Sequence, residues 1–204
     1  MKIIAVSHQK GGVGKTSLTV NLALCYAYDL KVGVIDTDLQ GSLQGISKLI
    51  KGVDVLPFEQ YQGNIKKLKH LDYDLLLIDT PPYLTDRLTD IFLISDYVLV
   101  PSKVSYVDIM AVRATIAMIN ETKKQNPQIK AGLVLNMVKT GSTINDEIGE
   151  LVQDLDIKLL KTTIGDRVSF TRSLIVNGIF ETDDNKAKDE ITNLAREILL
   201  EIKG

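Results

Sequence analysis

The sequence predicts an α/β fold, a mainly parallel sheet with helices on both faces. Three observations carry that prediction. Short apolar runs alternate with helical stretches along the whole chain, the pattern of βαβ units. One run, Leu75-Leu76-Leu77-Ile78, is apolar at every position, as a strand covered on both faces requires. Finally, the residues with chemistry to offer follow strand ends, where parallel sheets of this kind hold their ligands.

The elements follow in order. Ile3-Ile4-Ala5-Val6 reads as a buried strand, and a helical pattern covers residues 16–28. Residues 31–35 form a second strand that ends at Asp36. A short helix over 42–50 leads to a short strand at 53–56, closed by Pro57. A helix carrying Lys66, Lys67 and Lys69 precedes the strand at 74–78. A helix over 87–94, a strand over 97–100 stopped by Pro101, a long helix over 106–124 and a strand over 129–136 come next. A helix over 144–155, a last strand from Lys158, and helices over 166–176 and 184–202 complete the chain. With 204 residues, 45% of them hydrophobic, the expectation is one domain over 1–204.

A charged fraction of 25% and a net charge of -2 leave nucleic acid undecided; any such surface has to be a local basic patch. The single cysteine, Cys25, lies among Leu22, Ala23, Leu24 and Ala27 and reads as a small core side chain. One cysteine makes no disulfide framework within the chain. No basic segment followed by a long apolar run opens the sequence and no spanning stretch follows, so a cytoplasmic location is expected.

The stretch Ser7-His8-Gln9-Lys10-Gly11-Gly12-Val13-Gly14-Lys15-Thr16-Ser17 joins the first strand to the first helix. Its glycines let the backbone wrap an anion with successive N–H groups pointing inward. Lys15 can reach terminal phosphates, and the Thr16 hydroxyl can ligate Mg²⁺. Gly14-Lys15-Thr16 fit the common phosphate-loop pattern, while Gln9 stands at its first glycine. Asp36 and Asp38 follow the second strand, two acids one residue apart that can face a Mg²⁺ and its waters. Asp79 follows the Leu-rich strand, and Thr80-Pro81-Pro82 make a conformationally restricted exit.

Lys10 through Thr16, with a second lysine early in the loop, resembles the deviant Walker A loop of the ParA/MinD ATPases. Asp36-Thr37-Asp38-Leu39-Gln40 is similar to their switch I, with Leu39 where proline is usual, and Asp79-Thr80-Pro81-Pro82 is similar to their switch II. The resemblance spans the chain and is least specific in its C-terminal third. It implies a P-loop NTPase fold of the deviant Walker A type that uses ATP and Mg²⁺. Gly11, Gly12, Val13, Gly14, Lys15, Thr16 and Ser17 would hold the nucleotide, and Thr16, Asp36 and Asp79 the metal shell. Lys10, Lys15 and Asp38 would be the catalytic set, Lys10 reaching a partner's nucleotide and Asp38 orienting the attacking water. Asn136, at a strand end, would hydrogen-bond adenine or serve as a turn asparagine. Pro101 and the segment after Ile164 would complete the base pocket.

The resemblance further implies an ATP-dependent homodimer, non-specific DNA on the nucleoid, and a centromere-binding ParB-like protein that stimulates hydrolysis. With no extension before the first strand, the likeness is to the small partition ATPases. Lys161, Arg167 and Arg172 are the DNA candidates, with Lys139 and Lys186 as additions. The alternatives are positioning of protein cargo or conjugation machinery, a MinD-like membrane cycle and a metabolic enzyme. Ile191, Leu194, Ile198 and Ile202 make one apolar stripe on the last helix, read as packed on the domain, so no membrane is expected.

Overall fold

The computed structural model describes residues 1–38, 42–139 and 146–203. Seven strands form one parallel sheet: β1 (Lys2–Val6), β2 (Val32–Asp36), β3 (Asp54–Leu56), β4 (Leu75–Asp79), β5 (Tyr97–Ser102), β6 (Lys130–Val138) and β7 (Lys158–Gly165). Their order across the sheet is β3-β2-β4-β1-β5-β6-β7. The chain thus builds outward on one side of β1, returns beside it as β4, and continues on the other side from β5. That reversal opens a crevice at the carboxyl end of β1.

The period of two along each strand divides the core into two layers. Ile4 and Val6 of β1, Leu75 and Leu77 of β4, and Tyr97 and Leu99 of β5 face one layer. That layer is covered by α1 (Lys15–Tyr26), α2 (Ser42–Ile46), α6 (Val168–Ser173) and α7 (Asn185–Lys203). Ile3, Ala5, Leu76, Ile78, Val98 and Val100 face the other layer, under α3 (Asp86–Ile94), α4 (Tyr106–Lys123) and α5 (Asp146–Gln153). The stripe on α7 closes the first layer: Ile191, Leu194 and Ile198 are buried, and Ile202 packs beside them. Cys25 packs half-buried against the same layer, and burial raises its thiol pKa.

Three sequence expectations need correction. The lysine-bearing segment is a 3-10 run, Ile65–His70, instead of an α-helix. Its only buried anchors are Ile65 and Leu68, three residues apart, which a three-residue turn stacks on one side. Pro101 does not stop β5; it lies within it, opposite Val134 of β6. Leu99 turns its carbonyl to the Ser7 N–H on the β1 side, and by alternation Pro101 faces that side too. There β1 has already given way to the loop, so the missing N–H breaks no ladder bond. The helix expected over 166–176 spans only Val168–Ser173, with Arg167 extended before it and Asn177 and Gly178 at positive φ after it. Leu39, Gln40 and Gly41 of the switch I stretch, and the first residues of the helix expected over 144–155, lie outside the described residues.

Candidate functional site

The loop after β1 wraps the amino end of α1. Gly12 and Gly14 have φ of 70° and 89°, which other residues adopt only under strain. A Cβ on Gly14 would also lie 2.3 Å from Asn136 Nδ2, so nothing larger fits there. Gly14 caps α1 without a side chain, leaving the first N–H groups of the helix to whatever the loop encloses. Lys15 is buried within the loop, and its ammonium donates to the Lys10 carbonyl at 3.0 Å. Among the described residues it forms no ion pair. Burial lowers its pKa, opposed by the charges of Asp79 and Asp38, which places both carboxylates within electrostatic reach.

Adjacent strands bring the acids together. Asp36 and Asp79 are register partners on β2 and β4. The Thr16 hydroxyl donates to Asp79 Oδ2 at 2.5 Å. Burial, with help from the charges of Asp36 and Asp38, pushes the Asp79 carboxyl up to about 7, although Thr16 and Lys15 oppose the shift. A buried carboxyl so displaced gains most from a cation brought to it. Thr16, Asp36 and Asp79 therefore fit a Mg²⁺ that keeps most of its waters.

Asp36 also engages the backbone. Its two oxygens accept from the Asp38 and Leu43 N–H groups at 2.9 Å each, pinning both ends of the switch I segment. This contact and burial act on its pKa in opposite directions, and burial wins by raising it. Thr37 donates through both its N–H (2.9 Å) and its hydroxyl (2.8 Å) to the Asp79 carbonyl. The segment after β2 is thereby stitched to the end of β4 that carries Asp79.

Asn136 is buried at the loop's back. Its Nδ2 donates to the Val13 carbonyl at 2.7 Å, and its Oδ1 accepts from the Met137 N–H at 2.9 Å. In this structure it holds the phosphate loop, a task that the sequence does not announce. His8 is a further site residue that sequence reasoning misses. Its Nδ1 accepts from the Lys10 N–H at 2.8 Å, which leaves the ring proton on Nε2. Burial and then the Lys15 charge lower its pKa to about 4, keeping the ring neutral. Gln9 donates to the Ala111 carbonyl of α4 at 2.6 Å, and Lys10 reaches Asp108 on the same helix at 2.9 Å. The signal for His8 and Gln9 is their place inside the loop; what they touch is set by tertiary packing.

The DNA candidates do not form a single free patch. Arg167 donates to Glu190 at 2.8 Å and lies 3.9 Å from Asp184, so its charge is matched inside the fold. Lys161 is exposed on the edge strand β7, above a groove that also presents Glu190, Glu197 and Glu201. Arg172 is exposed on α6. Among the described residues no helix is long and apolar enough to cross a membrane.

Comparison with known proteins agrees with this geometry. The family profile described as "CobQ/CobB/MinD/ParA nucleotide binding domain" matches residues 4–177. The chain is 29% identical over 208 residues to maintenance of carboxysome distribution protein A of Halothiobacillus neapolitanus, covering 96% of this chain and 95% of that protein. It is 26% identical over 206 residues to the chromosome-partitioning ATPase Soj of Thermus thermophilus, covering 82% and 79%. In fold it resembles a putative plasmid partition protein from Borrelia burgdorferi solved with AMPPNP, at a TM-score of 0.75, 19% identity and 98% coverage of each chain. Phosphate loop, paired acids and parallel seven-stranded sheet stand together in one molecule, and the chain belongs to the CobQ/CobB/MinD/ParA nucleotide-binding family.

Proposed function

We propose that this chain is an ATPase that binds ATP with Mg²⁺, dimerises through the two nucleotides and resets by hydrolysis. The observation that carries the reading is the pair of loop lysines in different settings. Lys15 is enclosed beside Thr16 and Asp79, while Lys10 stands at the loop's rim. This difference supports a reading in which Lys15 serves the nucleotide of its own chain and Lys10 that of a neighbour. Exposed Tyr83 and Leu84 after switch II, and Tyr106 and Val107 beside Lys10, give that rim an apolar surface for a second copy.

In this reading the loop N–H groups and Lys15 bind and orient the phosphates. Mg²⁺, when bound, neutralises phosphate charge near Thr16 and Asp79. Asp38 orients the attacking water, and Lys10 of the second copy stabilises charge that grows in the transition state. Asn136 and Asp36 hold the loop and switch I so that these groups stay in place. Hydrolysis removes the γ-phosphate, and with it the difference in affinity that favours the dimer.

The likeness to partition ATPases supports non-specific DNA as the dimer's surface and a ParB-like protein as the stimulating partner, on the nucleoid in the cytoplasm. A second reading has its own support. The carboxysome distribution protein matches over nearly the full length of both chains, and Arg167 is already paired. In that reading the surface serves to position a large protein cargo in place of a plasmid. The test is molar mass in solution for Asp38→Ala with ADP and with ATP plus Mg²⁺, followed by duplex DNA at two salt concentrations. A monomer with ADP and a dimer with ATP that binds DNA in a salt-sensitive way supports partition. A dimer that ignores DNA favours the cargo reading, and no ATP-dependent dimer overturns both.

A further inference from the structure

Lys10 is already engaged in the single chain. Its ammonium lies 2.9 Å from Asp108 Oδ1 and donates to the Val107 carbonyl at 3.2 Å. Asp108 is itself fixed: its Oδ2 accepts from the Ser105 hydroxyl at 2.6 Å, and its N–H donates to the Ser105 oxygen at 3.1 Å. Burial raises the carboxyl's pKa, but Ser105 and Lys10 more than offset this and hold it below the usual carboxylate range. The side chains are 35% and 17% exposed, so water screens the pair only in part. The backbone N–H of Lys10 is held as well, by His8 Nδ1, and the side chain of the neighbouring Gln9 donates to the Ala111 carbonyl of α4.

We propose that Asp108 is a latch. It holds Lys10 against α4 while the chain is alone, and the lysine reaches a second copy's nucleotide only when this ion pair breaks. The inference rests on the reading of Lys10 as a partner-directed cation. One ammonium cannot neutralise Asp108 and a neighbour's phosphates at once, so the pair opposes dimerisation in the absence of a strong enough anion. It sets a threshold: the γ-phosphate has to outcompete a positioned carboxylate before the dimer forms. Asp108 is here a positioning residue, acting on the reaction through Lys10. The plainer role of the same acid is to complement the amino end of α4 together with Ser105. The two roles differ in what they predict: end-capping alone affects stability and leaves dimerisation unchanged.

The experiment compares dimer dissociation constants by sedimentation with ATP and Mg²⁺, in the Asp38→Ala background, with and without Asp108→Asn. Asparagine keeps an acceptor for Ser105 and removes the charge. An exposed or half-exposed ion pair corresponds to at most about fivefold in an equilibrium constant, and a dimer opens two, so tightening of up to about 25-fold is expected. Affinity of the monomer for ATP is expected to stay within about twofold. In a Lys10→Gln background the effect of Asp108→Asn on dimerisation is expected to vanish. Asp108→Gln, a better helix former without charge, gives the same comparison should the asparagine variant fold poorly. A parent that dimerises while both variants dimerise equally well or more weakly overturns the latch alone. A parent that stays monomeric with ATP overturns the dimer reading and the latch with it.

Discussion

Lys15 and Arg167 are both partly enclosed cations that the sequence marks as anion contacts, and the fold treats them in opposite ways. Lys15 points at a carbonyl of its own loop and forms no ion pair among the described residues, while Asp79 and Asp38 act on it through space. Arg167 meets Glu190 in direct hydrogen bonds and has Asp184 beside it. The first arrangement leaves an attraction for an anion from outside; the second has already used it. A cation's type and position in the sequence therefore say less about its role than whether the fold supplies its counter-charge.

The sharpest way to break this contrast is Lys15→Ala. Loss of a buried ammonium from the phosphates is expected to weaken ATP binding by on the order of 100-fold or more, read by titration with a fluorescent nucleotide. Unchanged affinity would remove Lys15 from the site. Asp38→Ala tests the other side of the pocket: the ATP dimer is expected to persist while phosphate release slows by roughly 100-fold. Turnover at the parent rate in that variant would mean that another group places the water.

Asp79→Asn examines what the buried acid costs the empty chain. Its folded pKa of about 7 lies above its ordinary value of 3.8, so its contribution favours the folded state at low pH and is lost as pH rises through about 7. The substitution is expected to stabilise the nucleotide-free protein at pH 8 by roughly 1–3 kcal/mol, and the gain should shrink as pH falls below about 7 and be lost only near about pH 4. His8 acts with the opposite sign. Its folded pKa of about 4 is below 6.5, so its contribution is present above 6.5 and lost as pH falls. Thermal melts across pH with Asp79→Asn separate the two, and a gain that is flat with pH would refute the assignment to Asp79.

The mildest effects compare the two arginines. Arg167→Ala is expected to lower stability by about 1 kcal/mol, since about a quarter of the side chain is exposed (26%) and screened. It should leave the salt dependence of any DNA binding as it was. Arg172→Ala should leave the melting temperature alone and reduce the salt slope by about one. The reverse pattern would place the DNA surface at Arg167.

Much of the fold and the site is legible in the chain itself. Strand alternation points to the parallel sheet, because a short run that is apolar throughout, such as Leu75-Leu76-Leu77-Ile78, suits a strand covered on both faces. The loop and its acids are legible because their chemistry is local in sequence: Lys15 and Thr16 are neighbours, and Asp36 and Asp79 end their strands. What stays hidden depends on distant partners. Glu190 lies 23 residues from Arg167, and no pattern around the arginine reports it. Asn136 supports Val13 across 123 residues, and Asp108 reaches Lys10 across 98. Pro101 misleads for a related reason, since whether a missing N–H matters depends on which neighbouring strand is still present.

The side chain of Asn21 bears on how such proteins can be recombined. Buried in α1, it donates to the Ser17 carbonyl at 2.8 Å and the Ser173 hydroxyl at 2.9 Å, and accepts from the Ile179 N–H at 2.7 Å. Gly178 lies so close to Leu24 that an added Cβ would sit 2.3 Å from it. The segment that follows β7 is thus keyed to the helix behind the phosphate loop, residue by residue. A chimera that transplants the C-terminal segment from a relative has to carry Asn21 and Leu24, or their equivalents, in the same graft.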